Sequence, residues 1–130
     1  MRTLTAVTLL LAATAARADE DVSFKRRGDA EKRFVTAAGT AVVKAAHPTA
    51  KKVDLVEYKY TNPKPNRTDL AIKMEYHGKA TNKRYVANIV VKIDSGNKDA
   101  WEVLNIDYSD NNNVPANQKK IQELIKTFNK

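Results

Sequence analysis

Two histidines and an aspartate combine residue types that suit acid–base or metal chemistry with positions that could bring them together. His47 precedes the first predicted strand, His77 lies at the end of the second and Asp110 lies two residues beyond the last. In an antiparallel meander these three positions lie at the same end of the sheet. An imidazole beside a carboxylate can move a proton or ligate a metal, so their convergence would predict a small hydrolase or metal-dependent enzyme. The spacing brings them to one end of the sheet and does not by itself bring them to one point.

No motif of a known catalytic or metal-binding type accompanies these residues. The chain has no cysteine, which excludes a thiol nucleophile, a cysteine zinc site and a disulfide framework. It also lacks a Gly-rich phosphate loop, a Gly-x-Ser-x-Gly elbow and a His-Glu-x-x-His pair. The run 107–113 is rich in oxygen ligands but lacks the glycine and distal glutamate of a calcium loop. We therefore assign no catalytic residue, metal or cofactor, and treat the enzyme as the alternative to a non-enzymatic role.

Basic residues are predicted to gather at the same end of the sheet. The strand ends and turns there contribute Lys51, Lys52, His77, Lys79, Lys83 and Arg84. Such a cluster can capture an anionic ligand through charge-assisted contacts that weaken with salt. The alternative is that lysines in turns keep the protein soluble.

The sheet face directed away from the helices is the leading candidate for a binding surface. We predict that this face carries Lys73, Glu75, Val86, Asn88, Val90, Trp101, Val103 and Asn105. An apolar centre with a polar rim is typical of a ligand or partner surface. Three alternatives remain: Trp101 folds over the sheet edge, a loop or the segment 22–24 covers the valines, or two copies bury the face in a homodimer.

Two helices and four strands must position these groups. Apolar residues recur at helical spacing over 29–46, with Asp29 as the predicted N-cap, and again from Ile121 to Phe128. Between the helices, runs at 53–60, 70–76, 85–93 and 101–108 read as strands, and the last three alternate apolar and polar residues. The first run breaks phase between Leu55 and Val56, which predicts a bulge. In the last run, Leu104 is predicted to face the core. Short connections imply that neighbouring strands pair antiparallel.

The predicted fold class is therefore α+β, with element order αββββα. Both helices are expected to pack on the Leu70, Ile72 and Met74 face of a four-stranded antiparallel meander. This order resembles cystatin-like folds, in which an antiparallel sheet wraps a long helix. The resemblance implies architecture only, because the Gln-x-Val-x-Gly loop of cystatin inhibitors is absent from residues 51–108 and protease inhibition is not implied.

The N-terminal residues have the layout of an export signal. Arg2 precedes an uncharged Leu- and Ala-rich run at 4–16, and Ala16-Arg17-Ala18 supplies a small-x-small cleavage pattern. These features predict a secretory signal peptide at 1–18 and a single mature domain at 19–130, with a transit peptide as the alternative. No later segment has transmembrane length. We expect a periplasmic or extracellular protein, and the absence of cysteine favours a bacterial envelope.

The charge of the chain bears on its partners. The sequence has 23 Lys+Arg against 15 Asp+Glu, a formal charge of +8, with 42% hydrophobic residues, which is a globular balance. Loss of residues 1–18 removes two arginines and no acid, leaving +6. Export argues against nucleic acid, as does the interspersion of basic with acidic residues. The expected partner is an unidentified protein or an anionic envelope component, such as acidic polysaccharide or lipid headgroups.

Overall fold

Two helices and one sheet make up the part of the chain that the computed structural model describes, residues 22–28, 31–78 and 83–130. A 3-10 turn at Phe24–Arg26 is followed by α1 (Lys32–Ala46), β1 (Lys51–Lys64), β2 (Arg67–His77), β3 (Arg84–Asp94), β4 (Glu102–Asp110) and α2 (Gln118–Phe128). The strands form one antiparallel sheet in the order β1-β2-β3-β4. The predicted α+β class and αββββα order are confirmed. The predicted signal peptide, the Asp29 cap and Lys79 lie outside the described residues.

Helix α1 lies close against the sheet because one of its buried positions is a glycine. A Cβ atom placed on Gly39 would be 2.7 Å from the Met74 sulfur and 3.2 Å from Cγ2 of Ile72. Phe34 and Val42, on the same side of the helix, are also fully buried. The glycine weakens the helix but lets its backbone approach the β2 face.

Helix α2 begins at a side-chain cap and completes the core beside α1, on the same face of the sheet. Oδ1 of Asn117 accepts the backbone N–H of Lys120 at 3.1 Å, which satisfies one of the free donors of the first turn. Ile121 and Phe128 are fully buried, and the Phe128 ring lies 5.0 Å from that of Phe24 between centroids. The two helices thus share one core with the sheet.

Side chains from α2 and its C-cap cover the outer edge of β4. The Asn129 amide accepts from the Val103 backbone N–H at 2.7 Å and donates to the Val103 carbonyl at 2.9 Å. Nε2 of Gln122 donates to the Ile106 carbonyl at 2.9 Å. An uncovered strand edge offers backbone groups to other chains, so these bonds protect β4 from edge-to-edge pairing.

The opposite edge, β1, is protected by irregularity. Its pairing with β2 shifts register at three places: between Lys51 and Asp54, between Leu55 and Glu57, and between Thr61 and Lys64. The middle shift is the predicted bulge. Bulges interrupt the ladder and twist the edge strand, which disfavours pairing with another chain.

The prediction of which β4 side chains face the core is wrong at the N-terminal end of the strand. Lys92 pairs with Asn105, but the next residue, Ile93, pairs with Val103, so Leu104 is an extra residue in the ladder. Val103 is therefore 2% exposed in the core, and Leu104 is 42% exposed. Side-chain alternation reverses across such a bulge, and a period-two pattern does not reveal the extra residue.

The bulge also moves Trp101 to the core side of the sheet. Its ring meets that of Tyr60 edge-on, with 6.1 Å between the centroids, and packs against the buried cluster. Trp101 and Val103 are therefore not members of the outward face on which the sequence pattern placed them.

Replacing Gly39 with valine should destabilise the protein by about 2 kcal/mol, because the added carbons collide with Met74 and Ile72. The measurement is the free energy of unfolding from urea titration. Thr40→Val is the matched control, since it introduces the same side chain at the next, partly exposed helix position. Equal effects at the two positions would contradict the close approach of α1 to β2.

Candidate functional site

A buried carboxylate, Asp110, is the centre of a hydrogen-bond network inside the fold. Its Oδ2 accepts the hydroxyls of Tyr76 and Tyr108, each at 2.7 Å, and lies 2.9 Å from Nε2 of His47. Its Oδ1 accepts the backbone N–H of Asn112 at 3.1 Å. The side chains of His47 and Asp110 are 8% and 6% exposed. Because an ionised carboxylate only accepts, Nε2 of His47 carries the hydrogen of this bond.

The network joins elements that are distant in the chain. Asp110 is the last residue of β4, Tyr76 lies on β2, and His47 directly follows α1, where its backbone N–H bonds to the Val43 carbonyl at 2.8 Å. The His47 and Tyr76 rings stack, with 5.5 Å between centroids. One carboxylate therefore fixes the end of α1 against the sheet.

Asn112 extends the network into the loop that leads to α2. Its Nδ2 donates to the Tyr76 hydroxyl at 3.1 Å, and its Oδ1 accepts the Val114 backbone N–H at 3.0 Å. A backbone bond from Asn117 to the Ala46 carbonyl, 3.0 Å, adds a second tie between this loop and α1. The arrangement positions the start of α2.

The protonation states in the network follow from its geometry. Burial by itself raises the pKa of the Asp110 carboxyl, but the bonds from Tyr108, Tyr76, Asn112 and His47 outweigh it and hold that pKa below its ordinary value. Burial and the bond to Asp110 raise the pKa of Tyr76 to about 12, and they raise the pKa of Tyr108 as well. At neutral pH the carboxylate is charged and both phenols are neutral. A buried charge held by four donors stabilises the fold and is poorly placed to act on a substrate.

The proposed catalytic trio does not converge. His47 and Asp110 are in contact, but His77 follows Tyr76 on β2 and therefore faces the opposite side of the sheet. There its Nε2 lies 3.1 Å from Nη1 of Arg84. Among the described residues, no three side chains of the metal-ligating types form a group that could hold an ion.

Those residues of the predicted anion cluster that the structure describes lie at one end of the sheet. Lys51 pairs with His77, and His77 with Arg84, while Lys51 and Lys52 are exposed. The cation best placed to bind an anion, Arg84, already has two carboxylate neighbours, Glu75 at 3.0 Å and Asp54 at 3.3 Å.

Lys83, another member of the predicted cluster, lies over an aromatic ring. Its Nζ lies 5.5 Å from the centroid of the Tyr85 ring, over its face. Lys79 lies outside the described residues. Anion capture at this end of the sheet remains a prediction.

The outward sheet face holds the other six of its eight predicted members: Lys73, Glu75, Val86, Asn88, Val90 and Asn105. A shallow depression of about 330 Å³ lies near its middle, lined by Glu57, Lys59, Ala71, Lys73, Asn88 and Val90, together with Tyr58, Ile72 and Ile89 of the same strands. Its floor is the cross-strand pair Ala71 and Val90. The small side chain of Ala71, flanked by Lys59 on β1, leaves the space.

Sequence reasoning missed Glu57, Lys59 and Ala71 as members of this surface. The signal for Ala71 was present, since it alternates with the buried Leu70 and Ile72 and is the smallest residue on the outward side of β2. Glu57 and Lys59 could not be assigned to a face, because the bulge in β1 interrupts the alternation there.

Comparison with protein-family models, with curated proteins and with solved structures found no match to this chain. The resemblance to cystatin-like folds therefore rests on element order alone. Within the described part of the chain, no helix has the length and apolar character needed to cross a bilayer.

Asp110→Ala should lower the free energy of unfolding by about 3 kcal/mol, because it leaves His47 and two phenolic hydroxyls buried without their shared acceptor. Urea denaturation measures the change. The control is Asp107→Ala on the same strand, where the lost partners are the surface cation Lys92 at 3.5 Å and the partly exposed Asn105 amide at 2.9 Å, and a change within about 1 kcal/mol is expected. Comparable losses in the two variants would show that the network does not hold the fold together.

Stability should fall at both extremes of pH. Because the folded pKa of Asp110 is lowered, its contribution is present above the unfolded value of about 3.9 and is lost as the pH falls through the folded value. Because the folded pKa of Tyr76 is raised to about 12, the contribution of the neutral phenol is present below about pH 10 and declines as the pH rises toward 12.

Free energies of unfolding measured across the pH range test both effects. In Asp110→Asn the free energy of unfolding should fall less at acid pH, since the titrating group has been removed. An equal fall in that variant and in the wild type would assign the acid sensitivity to other carboxylates.

Proposed function

We propose that residues 19–130 form an exported, non-enzymatic binding module whose binding surface is the depression on the outward sheet face. Both helices pack on the other face of the sheet, so this face is left open within the described residues. Val86 and Val90 are only partly buried there, and Ala71 is exposed. The depression over Ala71 and Val90 is the observation that carries the proposal.

The chemistry of the depression fits a protein partner. Its floor is apolar, and its rim offers cations from Lys59 and Lys73 beside the carboxylate of Glu57 and the amide of Asn88. Such a mixture matches the apolar centre and polar rim of a specific protein interface. A polyanion would be matched poorly, because the four strands carry eight basic and eight acidic residues.

Two further observations favour binding over catalysis. The one contact between an imidazole and a carboxylate inside the fold, His47 with Asp110, is buried and saturated with hydrogen bonds. His77, which the hydrolase alternative needs, faces the other side of the sheet. Export is proposed on the layout of residues 1–18.

Ala71→Arg tests the proposal, because a guanidinium at this position fills the depression. The immobilised chain 19–130 is incubated with an envelope extract of the producing cells, and retained proteins are quantified by mass spectrometry. A protein retained by the wild type should be retained about tenfold less by Ala71→Arg. Val114→Arg, at a loop position that is 60% exposed, is the control and should retain it fully. Equal retention by all three chains would overturn the proposal.

Sedimentation velocity separates a foreign partner from a second copy of the chain. The proposal expects a monomer at micromolar concentration for the wild type and for Ala71→Arg alike. A wild-type dimer that Ala71→Arg dissociates would make the face a structural interface and would overturn the proposal.

A further inference from the structure

The positive charge of the protein is divided unequally between its two layers. Helices α1 and α2 carry one acidic residue, Glu123, against six basic ones: Lys32, Arg33, Lys44, Lys119, Lys120 and Lys126. The four strands, by contrast, balance eight basic with eight acidic residues. Among these elements, the excess of positive charge therefore lies on the helices.

The basic residues of the helices form one outward surface. Arg33 and Lys44 are eleven residues apart on α1, which places them on one side of the helix, opposite the buried Val35 and Val42. Lys119 and Lys126 are seven residues apart on α2 and lie opposite the buried Ile121 and Phe128. The two helices pack against each other, so their exposed sides adjoin. We call this surface the basic helical layer.

In the part of the chain that the structure describes, salt bridges do not neutralise the cations of the basic helical layer. Within the described residues, no ion pair joins any of its six cations to a carboxylate. On the sheet, by contrast, two of the eight basic residues are paired: Arg84 lies against Glu75 and Asp54, and Lys92 against Asp107. The field of the helical layer is therefore directed to solvent.

We propose that the basic helical layer docks on an anionic lipid bilayer. The cations are spread over two adjacent helices, of which α1 alone is about 22 Å long, and they do not line a groove that would hold one linear chain. A broad array of single charges matches an extended anionic surface, where each lysine or arginine strengthens binding about fivefold.

Docking in this orientation is compatible with the proposed function and does not depend on it. The depression and the basic helical layer lie on opposite faces of the sheet. A chain held on a bilayer by its helices would direct the depression away from the lipid.

The test is co-sedimentation of the chain 19–130 with vesicles of phosphatidylcholine, with and without phosphatidylglycerol. Binding is expected only to vesicles that contain phosphatidylglycerol, and it should weaken as salt is raised. Lys44→Gln/Lys126→Gln should reduce binding roughly 25-fold, about fivefold for each charge. The matched control is Lys64→Gln/Lys92→Gln, which removes the same charge from the strands and should change binding by less than about twofold.

Three results would overturn the docking proposal. Equal losses in the two double variants would show that net charge alone drives attraction. Absence of binding to phosphatidylglycerol vesicles at low salt would exclude a lipid target. Retention on immobilised heparin without vesicle binding would assign the layer to an acidic polysaccharide. Circular dichroism spectra of both double variants establish that each is folded, so a loss of binding is read as a loss of contact.

Discussion

The buried carboxylate of Asp110 is the constraint on which the arrangement of the fold depends. It accepts hydrogen bonds from two tyrosines on different strands, from the histidine that ends α1 and from the loop that begins α2. An ionised group inside a protein is tolerated only when its bonding capacity is met. Each of these elements must therefore adopt its native position for the charge to be stable. Apolar packing is non-directional, so the carboxylate supplies the specificity that the surrounding aliphatic core lacks.

Because both helices pack on one face of the sheet, they leave the opposite face uncovered. Both helices are committed to the inner face, and the two sheet edges are protected by different means, side-chain amides at β4 and bulges at β1. Edge-to-edge pairing is thereby disfavoured, while the outward face of β2 and β3 stays open. That face could have been purely polar, yet it holds Val86, Val90 and Ala71.

The sequence was sufficient for the topology and insufficient for the geometry of the sites. Period-two alternation and short turns predict four antiparallel strands in order, since each connection is too short for a crossover. The predicted facing of Trp101 was wrong because one extra residue, Leu104, inverts the alternation between the Lys92–Asn105 and Ile93–Val103 pairs. The sequence placed His47 and Asp110 at the same end of the sheet, but it did not predict their contact. The hydrogen bonds of Tyr76 and Tyr108 to Asp110 could not be predicted either, since a pattern shows which face a side chain occupies and not which atoms meet.

The division of charge between the layers follows partly from how each element spaces its side chains. Neighbours on adjacent strands lie close together, so like charges opposite one another weaken a sheet and favour a balanced composition. The exposed side of a helix spreads its charges more widely, and α1 and α2 can carry six cations with one acid at little cost. Geometry permits this excess without requiring it. Solubility is served by interspersed charges of both signs, as on the strands. An almost purely basic helical surface opposite a balanced, partly apolar sheet face therefore favours two different contacts, an extended anionic surface on one side and a protein on the other.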